Sequence, residues 1–172
     1  MPVERALALA QAAANPICTA PPGGVGPEPE AHEVSWDEQL GGPTSRWIVF
    51  VTCSTGAYNI MSVAMSVDAY GEATPLPFAR PVFEYEYEDE ENTRLKFLRA
   101  TGITAQPTVT NAGFDEKTRI LTTMGKWRGL SDAFDSATYR LTDDGFVLET
   151  FEVDATYDGD HSPTVIYRRE AE

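Results

Sequence analysis

Phe83-Glu84-Tyr85-Glu86-Tyr87-Glu88 alternates ring and carboxylate for six residues, which no helix of 3.6 residues per turn would separate cleanly. A strand does so: period two places three rings on one face and three carboxylates on the other, the pattern of a half-buried sheet strand. On either side the same grammar continues. Upstream, Trp47 to Thr52 is a near-continuous apolar run. Ser54-Thr55-Gly56 turns the chain into Ile60 to Val67, which sets Val63, Met65 and Val67 against Ser62, Ala64 and Ser66. Asp68-Ala69-Tyr70-Gly71 connects that strand as a hairpin to Thr74 to Phe78.

Downstream, the acidic loop at Asp89 to Asn92 leads into Leu95 to Leu98, which reads as strand or as a short turn of helix. Pro107 to Asn111 and Arg119 to Met124 flank Phe114 to Thr118 as an expected hairpin. The clearest hairpin joins Thr138 to Leu141 with Phe146 to Val153 through Thr142-Asp143-Asp144-Gly145, where glycine can supply a positive φ. A last strand is expected over Thr164 to Tyr167. Eight short strands with turns every 8 to 12 residues predict an antiparallel meander, a small barrel or a sandwich, with one N-terminal helix.

That helix is expected over residues 1–15, where Val3, Leu7 and Ala10 or Ala14 keep helical spacing up to Asn15-Pro16. The alanines and leucines superficially resemble a leader. Arg5 is balanced by Glu4, however, and Gln11 interrupts the apolar run, so an ordinary helix is the better reading. If the protein is exported, its leader is expected to lie off this chain. Residues 16–35 hold Pro21, Pro22, Gly23, Gly24, Gly26, Pro27 and Pro29 and read as a linker, leaving 36–172 as the β domain.

Of 172 residues, 27 are acidic and 13 basic, for a net charge of −14. A polyanion lacks the basic footprint that nucleic acid requires and is repelled by anionic membrane surfaces. With no run approaching eighteen apolar residues, membrane insertion is not expected either. Hydrophobic content of 42% is ordinary for a globular chain, so the acidity belongs to the exterior. Such a chain can bury about 70% of its unfolded surface and needs no metal to hold a core.

Three stretches carry a family resemblance. Cys53-Ser54-Thr55-Gly56-Ala57-Tyr58-Asn59 resembles the strand-turn motif of the bacterial domain of unknown function family 1176. Asn111, Phe114-Asp115 and Leu121, leading into Gly125-Lys126-Trp127-Arg128-Gly129-Leu130-Ser131-Asp132-Ala133, are similar to its Lys-Gly-Arg-Gly-Leu-Gly-Asp-Cys-Gly block. Pro163 to Arg168 resembles its C-terminal signature, and together the motifs cover about residues 15 to 169. The resemblance implies a periplasmic or secreted location and no established activity; a cytoplasmic location is the alternative. Where the family usually has a second pair of cysteines, this chain has Ala133 and, by position, Ala155. The departure leaves Cys18 and Cys53 as the remaining pair. A disulfide between them would tie helix and linker to the first strand, the alternative being two buried thiols.

Catalysis would need Cys53 activated by His32 or His161, and a strand-end cysteine with a cysteine upstream is more often structural. No nucleophile elbow, phosphate loop or dinucleotide fingerprint occurs. Two cysteines and two distant histidines offer no metal spacing, and the carboxylates of Glu84 to Glu91 and of Asp154, Asp158 and Asp160 read as solvated faces. No cofactor is implied. The binding candidates are Tyr58, Asn59, Lys126, Trp127, Arg128 and Asp132: two cations flank a large aromatic, and Asp132 can order the loop by pairing with Arg128. The plainer alternative makes Trp127 core, Arg128 a brace, Tyr58 a buried phenol and Asn59 a turn residue.

The sequence therefore points to a non-catalytic cell-envelope module that binds a protein, and the charge favours a cationic partner of the envelope or exterior. A small Cys/His hydrolase and a structural half of a longer envelope protein are the alternatives.

Overall fold

The computed structural model describes residues 1–18, 26–38 and 42–170. One helix, α1 (Val3–Ala14), precedes twelve strands among these residues. They are β1 (Glu30–Glu38), β2 (Gly42–Thr55), β3 (Ile60–Val67), β4 (Ala73–Leu76), β5 (Phe78–Tyr87), β6 (Leu95–Gln106), β7 (Thr108–Thr110), β8 (Gly113–Asp115), β9 (Ile120–Lys126), β10 (Phe134–Thr142), β11 (Gly145–Asp154) and β12 (Thr164–Arg168). All pairings are antiparallel. The first sheet runs β1-β2-β3-β4, and β7 extends it by pairing the Met61–Val63 half of β3 that β4 leaves uncovered. The second runs β12-β11-β10-β9-β8, and β5 and β6 form a hairpin of their own.

The alternation in β2 and β3 decides the layering. Val49, Val51 and Cys53 with Val63, Met65 and Val67 form the outer face of the first sheet, and α1 covers it. The helix does so with Ala6, Ala10 and Ala14, a stripe four residues apart with no exposed surface, whose small side chains let the helix lie close to the sheet. The split of β3 into two faces is as the sequence predicts. Ile48, Phe50 and Ala64 point the other way, into a second core shared with Leu121 of β9, Tyr139 and Leu141 of β10, and Phe146, Leu148 and Phe151 of β11. Helix, sheet and sheet make three layers.

The fold is mainly β with one N-terminal helix, as expected. Of the two expected forms, the sheets stack as in a sandwich, and no ladder among the described residues closes them into a barrel. Glu149 is the extra residue of a bulge opposite Thr138/Tyr139, so the inward set changes from Phe146 and Leu148 to Phe151 and Val153. Inside, Phe78 stacks on Phe146 at 5.2 Å and meets Tyr139 edge-on at 5.3 Å. The Tyr139 hydroxyl donates to the Ala79 carbonyl at 3.0 Å, and burial pushes its pKa up to about 12.

Three elements differ from the sequence reading. β1 begins at Glu30, within the stretch read as linker, because Val34 and Trp36 pack on the inner core and Ala31 on the outer one, which pins that edge strand to the sheet. The linker's centre, residues 19–25, lies outside the described residues. Leu95 to Leu98 is strand and continues to Gln106. Pro107 to Asn111 does not pair with Arg119 to Met124; its central residues form β7 on the first sheet, and the hairpin partner of β9 is Gly113–Asp115.

Candidate functional site

The turn between β2 and β3 and the loop after β9 come from different sheets, and two asparagines join them. The Asn59 side chain donates to the Lys126 carbonyl at 2.8 Å and accepts from the Lys126 amide at 3.0 Å. Asn111, held at a φ of 47°, accepts from the Ile60 amide at 2.9 Å. Its Nδ2 donates to Asn59 Oδ1 at 2.9 Å and to the Met124 carbonyl at 2.8 Å. Left-handed backbone is one that asparagine tolerates better than most residues, which suits it to this corner. These bonds bring Tyr58 and Asn59 against the Lys126 to Asp132 loop, so the six candidate residues share one end of the sandwich.

Within the loop, Arg128 grips Asp132 with two donors, Nε at 2.6 Å from Oδ1 and Nη2 against Oδ2. Asp132 is 1% exposed, and its remaining capacity accepts from the Gly159 amide at 3.1 Å. The Arg128 bonds hold this carboxyl far below the usual carboxylate range against the opposing cost of desolvation. Arg128 also donates to the Tyr157 carbonyl at 3.2 Å and lies 4.9 Å above the Tyr157 ring. Arg128 and Asp132 thus brace the loop, the Nε and Nη2 donors of the guanidinium being committed within it.

Trp127 is half-buried. Its ring lies parallel to Phe83 at 6.3 Å and tilted to Tyr85 at 5.6 Å, and Nε1 donates to Asp135 at 3.0 Å. Asp135 also pairs with Arg80 at 3.0 Å. The ring face of the Phe83-Tyr85-Tyr87 strand therefore meets this loop. Tyr87 donates to the Ala155 carbonyl at 2.7 Å, and desolvation raises its pKa to about 12.

What the braced loop presents outward is apolar. Leu130 is 74% exposed, beside Ser131 at a φ of 61°, and Tyr58 is 49% exposed. The Tyr58 ring lies over Gly129, where a Cβ would come within 3.0 Å of Cε1. Lys126 is half-buried and has no ion pair among the described residues. Sequence reasoning missed Asn111 as the splice and Asp135 and Tyr157 as supports, since single side-chain bonds to a loop leave no periodic trace. Leu130 stood in the quoted block, but nothing in its type marked it as displayed.

Cys18 and Cys53 are joined in a disulfide 35 residues apart, Cys53 being the bulged residue of β2. The bond ties the chain just past α1 to the outer face of the first sheet. His32 lies on the inner side of that sheet against Phe50 and Phe114, and His161 rests on Phe134. No thiol and no Cys/His pair exists among the described residues. Glu84 pairs with Arg99, Glu86 with Lys96 and Glu88 with Arg94, and no three His, Cys, Asp or Glu side chains converge as a metal site among the described residues. No described helix is long and apolar enough to cross a membrane.

The sequence model of a family described as "Protein of unknown function (DUF1176)" matches residues 29–164. YpfG of Escherichia coli strain K12, an uncharacterised protein, is 34% identical over 116 residues, 67% of this chain and 29% of that protein. The match thus spans less than a third of the relative's length. No solved structure matches the chain.

Proposed function

From a chain that belongs to the DUF1176 family of proteins of unknown function, we propose a non-catalytic cell-envelope module that binds a cationic protein through Tyr58 and Leu130. The observation that carries this reading is a loop fixed by an ion pair on the buried Asp132 carboxylate that nonetheless exposes a leucine at 74%. Interface energy concentrates in a few large side chains held in place before binding, and preorganisation lowers the entropy lost on association. The net charge of −14 favours a cationic partner by steering. Asn59, Trp127, Arg128 and Asp132 serve as the frame, and Lys126 sets a local exception within the negative field.

A periplasmic or secreted location is supported by the disulfide, a bond that persists in oxidising compartments. The Cys/His hydrolase loses its nucleophile to that same bond. A structural part of a longer envelope protein is the second reading, supported by a relative whose length the match covers by 29%. Pull-down against cationic muramidases at low and moderate salt tests the binding reading. It expects a salt-sensitive complex that Leu130→Ser weakens; the structural reading expects none.

A further inference from the structure

At the far end of the β2–β3 hairpin, ~30 Å from Tyr58 at the rise of an extended strand, a hollow of about 420 Å³ opens between the β5–β6 hairpin and the β10–β11 turn. Buried Phe78 and Phe146 border it, and its exposed apolar lining is Pro77, Ala105 and Ile103, the last at 59%. A second hollow of about 370 Å³ adjoins it, both being lined by Pro77 and Asp144. There the walls carry Asp68, Glu72, Asp143 and Asp144 against one cation, Arg46. Arg46 itself donates to the Asp143 carbonyl at 3.3 Å. Asp143 and Asp144 are exposed and have no ion pair among the described residues.

We propose that this double hollow docks an extended cationic peptide segment of a partner, an apolar side chain seated against the exposed Ile103, Ala105 and Pro77 and a lysine or arginine against Asp143 and Asp144. Apolar surface and uncompensated carboxylates side by side select that chemistry over an acidic or neutral ligand. Side chains two apart on an extended peptide share one face at roughly 7 Å spacing, which suits two adjoining hollows. The surface is distinct from the one at Tyr58 and Leu130 and stands whether or not that surface binds.

The test is a titration of the ¹⁵N-labelled protein with an amidated pentapeptide of alternating lysine and leucine at low salt, read by amide shifts. Shifts are expected at Ile103, Ala105, Gly145 and Phe146, with affinity falling at least fivefold in Asp143→Asn/Asp144→Asn and in Ile103→Ser. The substituted side chains are exposed, and the spectra themselves report that each variant is folded. Shifts scattered over the acidic surface, equal affinity in the groove variants, or equal binding of the peptide with glutamate in place of lysine would each overturn the proposal.

Discussion

Asn59 and Lys126, 67 residues apart, exchange two hydrogen bonds between one side-chain amide and one backbone residue. The amide imitates a strand neighbour, so the turn of one sheet and the end of a strand in the other are held in fixed register. Asn111 extends that contact to Ile60 and Met124. The exposed Tyr58 and Leu130 therefore rest on a frame whose parts come from three separate chain segments.

Asn111→Ala leaves the Ile60 amide and Met124 carbonyl without their side-chain partner and places a Cβ-only residue in left-handed backbone. A loss of about 3 kcal/mol is expected, from partly buried groups left unpaired and from backbone strain. Urea unfolding monitored by tryptophan fluorescence measures it. Asn111→Gly, which relieves the strain alone, should recover only a small part.

The Asp132 carboxyl is held below the ordinary value of 3.8 by Arg128, so its contribution to stability is present above that pH and is lost as pH falls through the folded value. The urea midpoint of the protein should decline below about pH 4. Asp132→Asn should be less stable at pH 7 and show a shallower decline. A variant whose acid profile parallels the parent's would remove this pair from the account.

Tyr139 runs the opposite way. Its folded pKa of about 12 against the ordinary 10.0 means that the unfolded chain ionises first, so stability declines as pH rises from 10 toward 12. Tyr139→Phe should cost ~1 kcal/mol at pH 7 by deleting the bond to Ala79. It should also flatten the alkaline decline, which thermal melts between pH 8 and 11 would follow.

The disulfide closes a loop of 35 residues, worth about 4 kcal/mol by the loop-entropy relation. Cys18→Ser/Cys53→Ser should lose up to that amount and raise amide exchange through α1 most, because an alanine stripe gives the helix little apolar area of its own. Hydrogen exchange measured segment by segment distinguishes this from uniform destabilisation. Equal acceleration in β10 and β11 would contradict it.

What could be read from the sequence follows from what burial does to periodicity. β3, covered on both faces, kept its two sets distinct, and the β10–β11 hairpin announced itself through Gly145, whose φ is 128°. The length of β6 escaped because its residues are largely exposed and so obey no apolar period, and the partner of the expected strand at Pro107 to Asn111 did so because three paired residues carry too little pattern to choose between β3 and β9. The Lys126 to Asp132 loop was visible as a motif; the bonds that fix it were not. They come from Asn111, which reaches it from the first sheet, and from Asp135 and Gly159, which reach it through strand pairing and the loop after β11 in the second.

The most direct test of the account is the affinity of the protein and of Leu130→Ser for a cationic muramidase, measured by calorimetry at low and moderate salt. The account predicts a complex that weakens with salt and loses at least tenfold in affinity in the variant, about 1.4 kcal/mol. Binding of equal strength in both proteins, or no binding in either, would contradict it.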